Sequence, residues 1–494
     1  MLKNLFNRAI GKRSSPFHAS AEESADLVLA RRDPRAALAL AREHFAQGRA
    51  TEAEAICDLV LARDARDFEA VSLKAGVHWI RAEYQPAMRL AREAVAIDPG
   101  SPTAQANLGA VAMEAGDFPV ARQALVASLA LASGNLQALE MLSAVERYLG
   151  DAAAGIEILD GLIADAPDRA DYRFWRSLAR LQLGLYPEAW YEFEARWQDE
   201  LRGEWPAYPQ PLWKGASLGS QRLLLWAEQG LGDTLQFIRY VAVVRERNPA
   251  AYIIVAVQRE LVELVRSMTD IDQVTVLREM QPTFDVHCPL MNLPGSCATT
   301  VGTIPASVPY LRATPERRLR WAARMAAEPD ALRIGLVWAG GKRHHQSATG
   351  PLDRRRSLAL TQLRSLFGIP GTRIYSLQIG EPAAQIAGSG MVEQLVDWTT
   401  DIEDFSDTAA LVEYLDLVIT VDTSMVHLAG AMAKPVWMLL RMDSCWRWFK
   451  GRDDSPWYPT LRIFRQLEPM DWTPAITRLT QALREHARLR TRES

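Results

Sequence analysis

A carboxylate follows two closely spaced glycines in residues 230–233, which read Gly-Leu-Gly-Asp. The stretch joins an apolar run, 223–226, to an amphipathic run that predicts a helix. In one interpretation, Asp233 caps the helix by accepting hydrogen bonds from free backbone N–H groups after a tight turn. In the other, the same turn opens a backbone cradle for a ligand and holds the carboxylate at its edge.

Two further stretches place hydroxyl groups and cations directly after apolar runs. Asp422, Thr423 and Ser424 open a helix-like run that carries His427 one turn further on. The other stretch is basic and contains Gly340, Gly341, Lys342, Arg343, His344, His345 and then Arg354, Arg355 and Arg356.

Each of these stretches also has a purely structural interpretation. Asp422 to Ser424 can be an ordinary helix cap, the basic stretch a solvated surface loop, and His427 a partly buried histidine with satisfied hydrogen bonds. Taken together, a capped helix start, a glycine-lined turn and cations at neighbouring strand ends make up an arrangement that binds a diphosphate.

Strands and helices that alternate in the second half of the chain would position these stretches. The pattern predicts an α/β architecture with parallel sheets, and two Rossmann-like halves with a cleft between them. In such folds ligands bind at the carboxyl ends of the strands. The predicted strands are 223–226, 252–257 and 274–277 in one half, and 332–338, 373–378, 416–421 and 435–440 in the other.

A second pattern occupies the first two hundred residues, where small residues recur every 34 positions. They are Gly48, Ala82, Gly116, Gly150 and Gly184, followed five positions later by Ala53, Ala87, Ala121, Gly155 and Ala189. Aromatic residues fall between them at Tyr84, Phe118 and Tyr186. An unrelated helical bundle is the alternative, but the period resembles that of the tetratricopeptide repeat, with about five copies between residues 33 and 197. Such solenoids bind peptides or proteins, so a protein partner is expected.

These patterns divide the chain into five regions. A mobile N-terminal tail, 1–32, precedes a repeat solenoid, 33–204, and a linker rich in proline, glycine and tryptophan, 205–219. An abridged N-terminal Rossmann-like lobe, 220–315, and a C-terminal lobe ending in a helix, 316–494, complete the prediction.

Composition narrows the possible partners and surroundings. A net charge of −4, from 56 basic and 60 acidic residues, argues against general affinity for nucleic acid. The four cysteines are scattered, which favours neither a zinc site nor a disulfide framework and fits a cytoplasmic location. No segment has the run of apolar residues that a membrane span needs, and the basic tail allows at most weak contact with a membrane surface.

The motifs of the second half resemble the GT-B glycosyltransferases, specifically the bacterial heptosyltransferase family (glycosyltransferase family 9) and its relatives fused to tetratricopeptide repeats. The resemblance spans about residues 223–466. It rests on EQGLGDTLQFIRY, DLVITVDTSMVHLAGAMAKPVWMLL, DSPWYPTLRIFRQ and the WRW at 446–448. The chain departs from the family in having Ser424 where glycine is common, and in its short first lobe.

By position, the resemblance implies that Asp233 is the general base of a glycosyl transfer. It assigns binding of the nucleotide-sugar donor to Gly230, Gly232, Lys342, Arg343, Asp422, Thr423, Ser424 and His427. Trp446 and Trp448 could stack on a sugar, or could fill core space instead. No metal and no cofactor are expected beyond the donor itself, because no convincing acidic pair follows a strand.

The resulting expectation is an inverting glycosyltransferase that modifies a protein hydroxyl, on flagellin or another surface protein, presented by the repeats as in the O-GlcNAc transferases. Two alternatives stay open: a transferase that acts on a lipopolysaccharide core, and a repeat scaffold with a catalytically dead transferase domain. Donors carrying ADP, UDP, GDP or CMP fit equally well.

Overall fold

A computed structural model describes residues 33–198, 206–327, 330–341 and 350–493. The predicted N-terminal tail, 1–32, lies outside the described residues. The chain forms two compact units: one holds the helices up to Gly161, and the other holds the main part of the chain from Leu162 onward. The predicted domain boundaries stay a prediction.

Helical pairs occupy the described residues of the first two hundred positions, as the repeat pattern predicts. They are α1 (Pro34–Ala46) with α2 (Ala50–Leu61), α3 (Phe68–Ile80) with α4 (Tyr84–Ile97), α5 (Pro102–Ala115) with α6 (Phe118–Leu131), α7 (Leu136–Leu149) with α8 (Ala152–Asp165), and α9 (Ala170–Leu183) with α10 (Tyr186–Phe193). The fifth pair, α9 with α10, belongs to the second unit.

The 34-residue spacing has a local physical cause. The first helix of each pair is followed by a residue in the left-handed conformation, where glycine avoids the penalty of a Cβ. These residues are Gly48, Ala82, Gly116, Gly150 and Gly184, with φ of 77°, 61°, 89°, 105° and 79°. The small residues five positions later lie where paired helices meet: a Cβ on Gly155 would lie 2.7 Å from the Ser143 carbonyl oxygen.

Two parallel sheets form the rest of the second unit, which confirms the predicted α/β lobes. The first has the strand order β3-β2-β1-β4 and the second β10-β9-β8-β5-β6-β7, with every pairing parallel. The strands are β1 (Arg222–Trp226), β2 (Tyr252–Val257), β3 (Gln273–Val276), β4 (Val286–Pro289), β5 (Leu332–Val337), β6 (Thr372–Ser376), β7 (Leu395–Asp397), β8 (Leu417–Val421), β9 (Val436–Leu440) and β10 (Leu461–Arg465).

Helices cover these strands and connect them. They are α11 (Leu231–Phe237), α12 (Tyr240–Arg247), α13 (Val262–Val265), α14 (Leu293–Ser296), α15 (Pro315–Ala326), α16 (Gly350–Arg356), α17 (Gln385–Gly388), α18 (Phe405–Glu413), α19 (Ser424–Ala431) and α20 (Thr473–Glu493). Within the described part of the chain, every helix is too short or too polar to cross a membrane.

The interiors of β1 and β8 are fully buried and, apart from Thr420, apolar, so each strand delivers its following loop to a fixed place at the sheet edge. Helix α11 begins soon after β1, and α19 begins soon after β8. These two strand ends carry the residues that the sequence analysis singled out.

Candidate active site

The 230–233 turn and the start of α19 contact each other directly. A Cβ on Gly232 would lie 2.8 Å from Cδ2 of His427 and 3.4 Å from Cα of Ser424. Glycine is therefore required at position 232 by this close approach. Gly230 has an extended backbone, with φ −75° and ψ 166°, so left-handed geometry does not explain the turn. The structure thus brings the predicted base and the predicted donor-binding helix together.

Asp233 stabilises the helix start from a different position than the structural interpretation gave it: Gly230 is the N-cap of α11, and Asp233 is the third residue of the helix. Its Oδ2 accepts the backbone N–H of Gly230 at 2.9 Å, closing the turn in front of α11. Its Oδ1 accepts a hydrogen bond from Nη2 of Arg447 at 2.6 Å. The side chain is still 20% exposed, so the carboxylate can also meet a molecule from solution. The general-base role of Asp233 stays a prediction.

Arg447 is the main functional candidate that sequence reasoning missed. Its side chain is 10% exposed, and its Nε donates to Oε1 of Gln236 at 2.6 Å. Its Nη1 lies 3.0 Å from Sγ of Cys445, and its guanidinium lies over the Trp446 ring at 4.5 Å. The sequence carried one signal, an arginine between two tryptophans, but no indication of its partner 214 residues away.

The start of α19 is held by hydrogen bonds of its own. Thr423 caps the helix by accepting the backbone N–H of Met425 at 3.3 Å, and its hydroxyl lies 3.1 Å from that of Thr420. The carboxylate of Asp422 accepts the indole N–H of Trp448 at 3.0 Å. Capping is therefore present at this segment, as its structural interpretation requires, and donor binding stays a prediction.

His427 is buried one turn into α19. Its Nδ1 lies 2.9 Å from the hydroxyl of Tyr458, and its ring stacks on Trp448 with centroids 5.5 Å apart. Burial, followed by the nearby guanidinium groups of Arg447 and Arg239, holds the pKa of His427 well below its usual value. The imidazole is therefore neutral at physiological pH.

The two cations predicted to face the donor phosphates, Lys342 and Arg343, lie outside the described residues. Arg356, from the same basic stretch, donates from Nη1 to the carbonyl of Asp422 at 3.1 Å. A Cβ on Gly340 would lie 2.5 Å from Nε of Arg356, so the glycine makes room for the guanidinium. That Nε is buried and makes no hydrogen bond. A guanidinium thus lies at the carboxyl edge of the second sheet, beside Asp422 and ion-paired through its Nη2 with Asp353.

Trp446 and Trp448, the predicted sugar-stacking residues, are both buried. Trp446 packs against Trp190 and Tyr186 of the fifth helix pair, with centroids 5.5 and 6.5 Å apart. Trp448 is covered by His427 and hydrogen-bonded to Asp422. Both tryptophans therefore fill core space, which is the alternative to sugar stacking that the sequence left open.

A buried ion pair lies close to the turn. Arg196 contacts Glu228, just beyond β1, through two hydrogen bonds of 3.1 and 2.9 Å. Burial outweighs the attraction of Arg196, so the pKa of Glu228 lies above its usual value. The pair links the end of the fifth repeat to the strand that carries the turn.

A cavity of about 650 Å³ lies away from all of these residues. Lys434 and Glu413 line it, and they stand just before β9 and β8, so the cavity is at the amino-terminal edge of the second sheet. We place the candidate site at the opposite edge, because the polar side chains converge at the carboxyl ends of the strands. Among the described residues, no cluster of His, Cys, Asp or Glu could hold a metal ion. Metal independence stays a prediction.

The fold and the site define the class of this protein: tetratricopeptide-like helical repeats followed by a GT-B-like pair of parallel-sheet lobes. No family model matches the chain. The chain is 28% identical, over 343 residues, to Protein FlbA of Caulobacter vibrioides, a match that covers 65% of this chain and 56% of that protein. The chain thus spans little more than half the length of this curated relative.

Solved structures similar to the chain fall on both of its parts. A family 9 glycosyl transferase from Veillonella parvula is 12% identical, covering 55% of this chain and 99% of its own, with a TM-score of 0.42. YrrB, a tetratricopeptide protein whose structure shows an unusual peptide-binding site, is 13% identical, covering 37% of this chain and 94% of its own, with a TM-score of 0.32.

Proposed function

We propose that this protein transfers a sugar from a nucleotide-sugar donor to a hydroxyl group of a protein, with inversion at the anomeric carbon. The observation that carries the proposal is the direct contact between the 230–233 turn and the start of α19. These segments follow parallel strands of two different sheets, at the strand ends where such folds bind ligands. A partly exposed carboxylate stands on one side of the contact, and a capped helix start with a nearby arginine on the other.

The proposed reaction assigns each group one task. The acceptor oxygen attacks the anomeric carbon while Asp233 takes the hydroxyl proton, and the bond from that carbon to the diphosphate breaks. The positive end of α19 and the guanidinium of Arg356 stabilise the negative charge that develops on the leaving diphosphate. No metal ion takes part.

The helical repeats are proposed to supply the acceptor. Stacked helix pairs offer an extended surface to a polypeptide, and they carry no chemistry of their own. A protein acceptor, such as flagellin or another surface protein, and a cytoplasmic site of action are both part of the proposal.

The test combines a donor screen with one carboxylate variant. Purified protein is incubated with each nucleotide-sugar, and nucleotide release is measured together with the intact mass of co-expressed acceptor proteins. Asp233→Asn is expected to lower the transfer rate by about 10²- to 10⁴-fold while donor binding persists. Asp454→Asn is the matched control, because Asp454 also pairs with an arginine, Arg452, at 2.6 Å, but on an exposed loop. Transfer by Asp233→Asn at the wild-type rate would refute the base assignment.

One observation favours a second candidate, a non-catalytic scaffold. Both oxygens of Asp233 are already engaged, and the two helix starts touch. A scaffold would retain an acceptor protein on the repeats without releasing nucleotide from any donor. Asp233→Asn would then leave every measured property except stability unchanged.

A further inference from the structure

A three-residue segment, Trp446–Trp448, contacts the fifth helix pair, the 230–233 turn and the start of α19. Trp446 packs on the fifth helix pair, Arg447 pairs with Asp233, and Trp448 contacts both Asp422 and His427. The packing of Trp446 and Trp448 therefore fixes the backbone on both sides of Arg447, the residue that contacts the carboxylate.

Arg447 is the counter-charge of Asp233. A buried guanidinium is costly unless a carboxylate and further hydrogen bonds compensate for its lost hydration. Gln236 and Cys445 accept two of its hydrogen bonds, and Asp233 accepts the third. Asp422 also lies close enough to act on the charge of Arg447, but its carboxylate accepts the indole N–H of Trp448, and Glu228 is paired with Arg196.

We propose that Arg447 is a positioning residue that fixes the orientation of the Asp233 carboxylate for proton transfer, an assignment that rests on the function proposed above. Among the described residues, the Gly230 N–H alone would hold the carboxylate without Arg447, through Oδ2. Small displacements of a reacting group are costly for the chemical step, whereas donor binding depends on α19 and Arg356. Loss of Arg447 should therefore lower kcat and leave the donor KM unchanged.

The test uses Arg447→Ala, Arg447→Lys and chemical rescue. We expect Arg447→Ala to lower kcat by about 10²-fold, with a donor KM close to that of the wild type. Arg447→Lys, which keeps the charge, should retain more activity. Millimolar guanidinium ion should restore activity to Arg447→Ala, whereas the same concentration of urea, a neutral molecule of similar shape, or of sodium chloride should not. The double variant Arg447→Ala/Asp233→Asn should gain nothing from guanidinium.

Two results would overturn the inference while leaving the proposed function in place: wild-type kcat in Arg447→Ala, or a loss that appears only in the donor KM. If the wild-type protein transfers no sugar from any donor, the proposed function fails instead. The pairing is then tested by thermal unfolding of Arg447→Met, Asp233→Asn and the double variant. The pairing is supported if the double variant is at least as stable as the less stable of the two single variants. It is refuted if the stability loss of the double variant equals the sum of the two single losses.

Discussion

The ring of His427 is enclosed between aromatic and cationic side chains, which determines its charge. Trp448 covers one side and Tyr458 binds Nδ1, so the ring is buried, and this burial is the main reason that a second proton is disfavoured; the guanidinium groups of Arg447 and Arg239 add to it. A protonated imidazole in this position would add a cation to a site that already contains two. The folded protein therefore resists protonation of His427 more than the unfolded chain does.

This resistance predicts a specific pH dependence of stability. Because the pKa of His427 is depressed in the folded state, the unfolded chain binds the extra proton first as the pH falls below about 6.5. The wild-type protein should then lose up to about 1.4 kcal/mol of unfolding free energy per pH unit from this group. His427→Gln should lack that contribution. Urea unfolding of both proteins between about pH 7.5 and pH 5 checks it; parallel curves would contradict the prediction.

At the residue scale, the sequence could reveal only side chains whose neighbours are local. Asp233, Thr423 and Ser424 stand out because turn and capping rules act within a few positions. The partners of Asp233 and Asp422 could not be identified in this way. Arg447 lies 214 residues from Asp233, and Arg356 lies 66 residues from Asp422, so only the folded chain brings them together.

At the scale of elements, the repeat caps explain both the period and its one exception. Ala82 adopts φ 61° in a position where every other repeat has glycine. An alanine is strained in the left-handed conformation, and a glycine is not. Glycine is also more flexible in the unfolded chain, which stabilises the unfolded state and offsets part of the gain from the relieved strain.

Ala82→Gly should therefore stabilise the repeats by about 0.5 to 1 kcal/mol. Gly150→Ala is the matched reverse change: a Cβ there meets no atom within 4 Å, so only the backbone conformation is tested, and a similar loss is expected. Thermal unfolding followed by far-ultraviolet circular dichroism compares both variants with the wild type. A shift of the same sign for the two variants would show that the caps do not set repeat stability.

Most of the strands that the sequence revealed are apolar and central, because buried parallel strands are continuous apolar runs. The seven predicted strands all appear, shifted at most by two residues at an end, and they include β3, a half-buried edge strand of four residues. Three strands escaped prediction. β7 has three residues, β4 ends in a proline, and β10 is an edge strand with arginines at its second and fifth positions.

At the scale of the whole molecule, the fifth helix pair behaves as part of the lobes. One apolar core contains residues of both sheets together with Tyr186, Trp190 and Phe193 of this pair. The Tyr186 ring stacks on that of Phe449, with centroids 6.1 Å apart. The aromatic enrichment of this repeat in the sequence is the signal of that packing. A repeat count alone could not show that the last copy is built into the second unit.

This packing predicts that the point of truncation decides the outcome when the repeats are removed. A chain that begins at Ala166 keeps α9 and α10, and should keep the oligomeric state of the full chain, unfold cooperatively and bind donor as the full chain does. A chain that begins at Gln198 loses the three aromatic anchors, and truncating even one buried Phe or Trp to Ala typically costs about 3 to 5 kcal/mol. It should melt at a lower temperature and aggregate through the uncovered surface around Trp446 and Trp457. Size-exclusion chromatography and thermal unfolding distinguish the two chains, and identical behaviour would place the fifth pair outside the core. The comparison also separates loss of the protein acceptor, expected for both chains, from damage to the site, expected only for the shorter one.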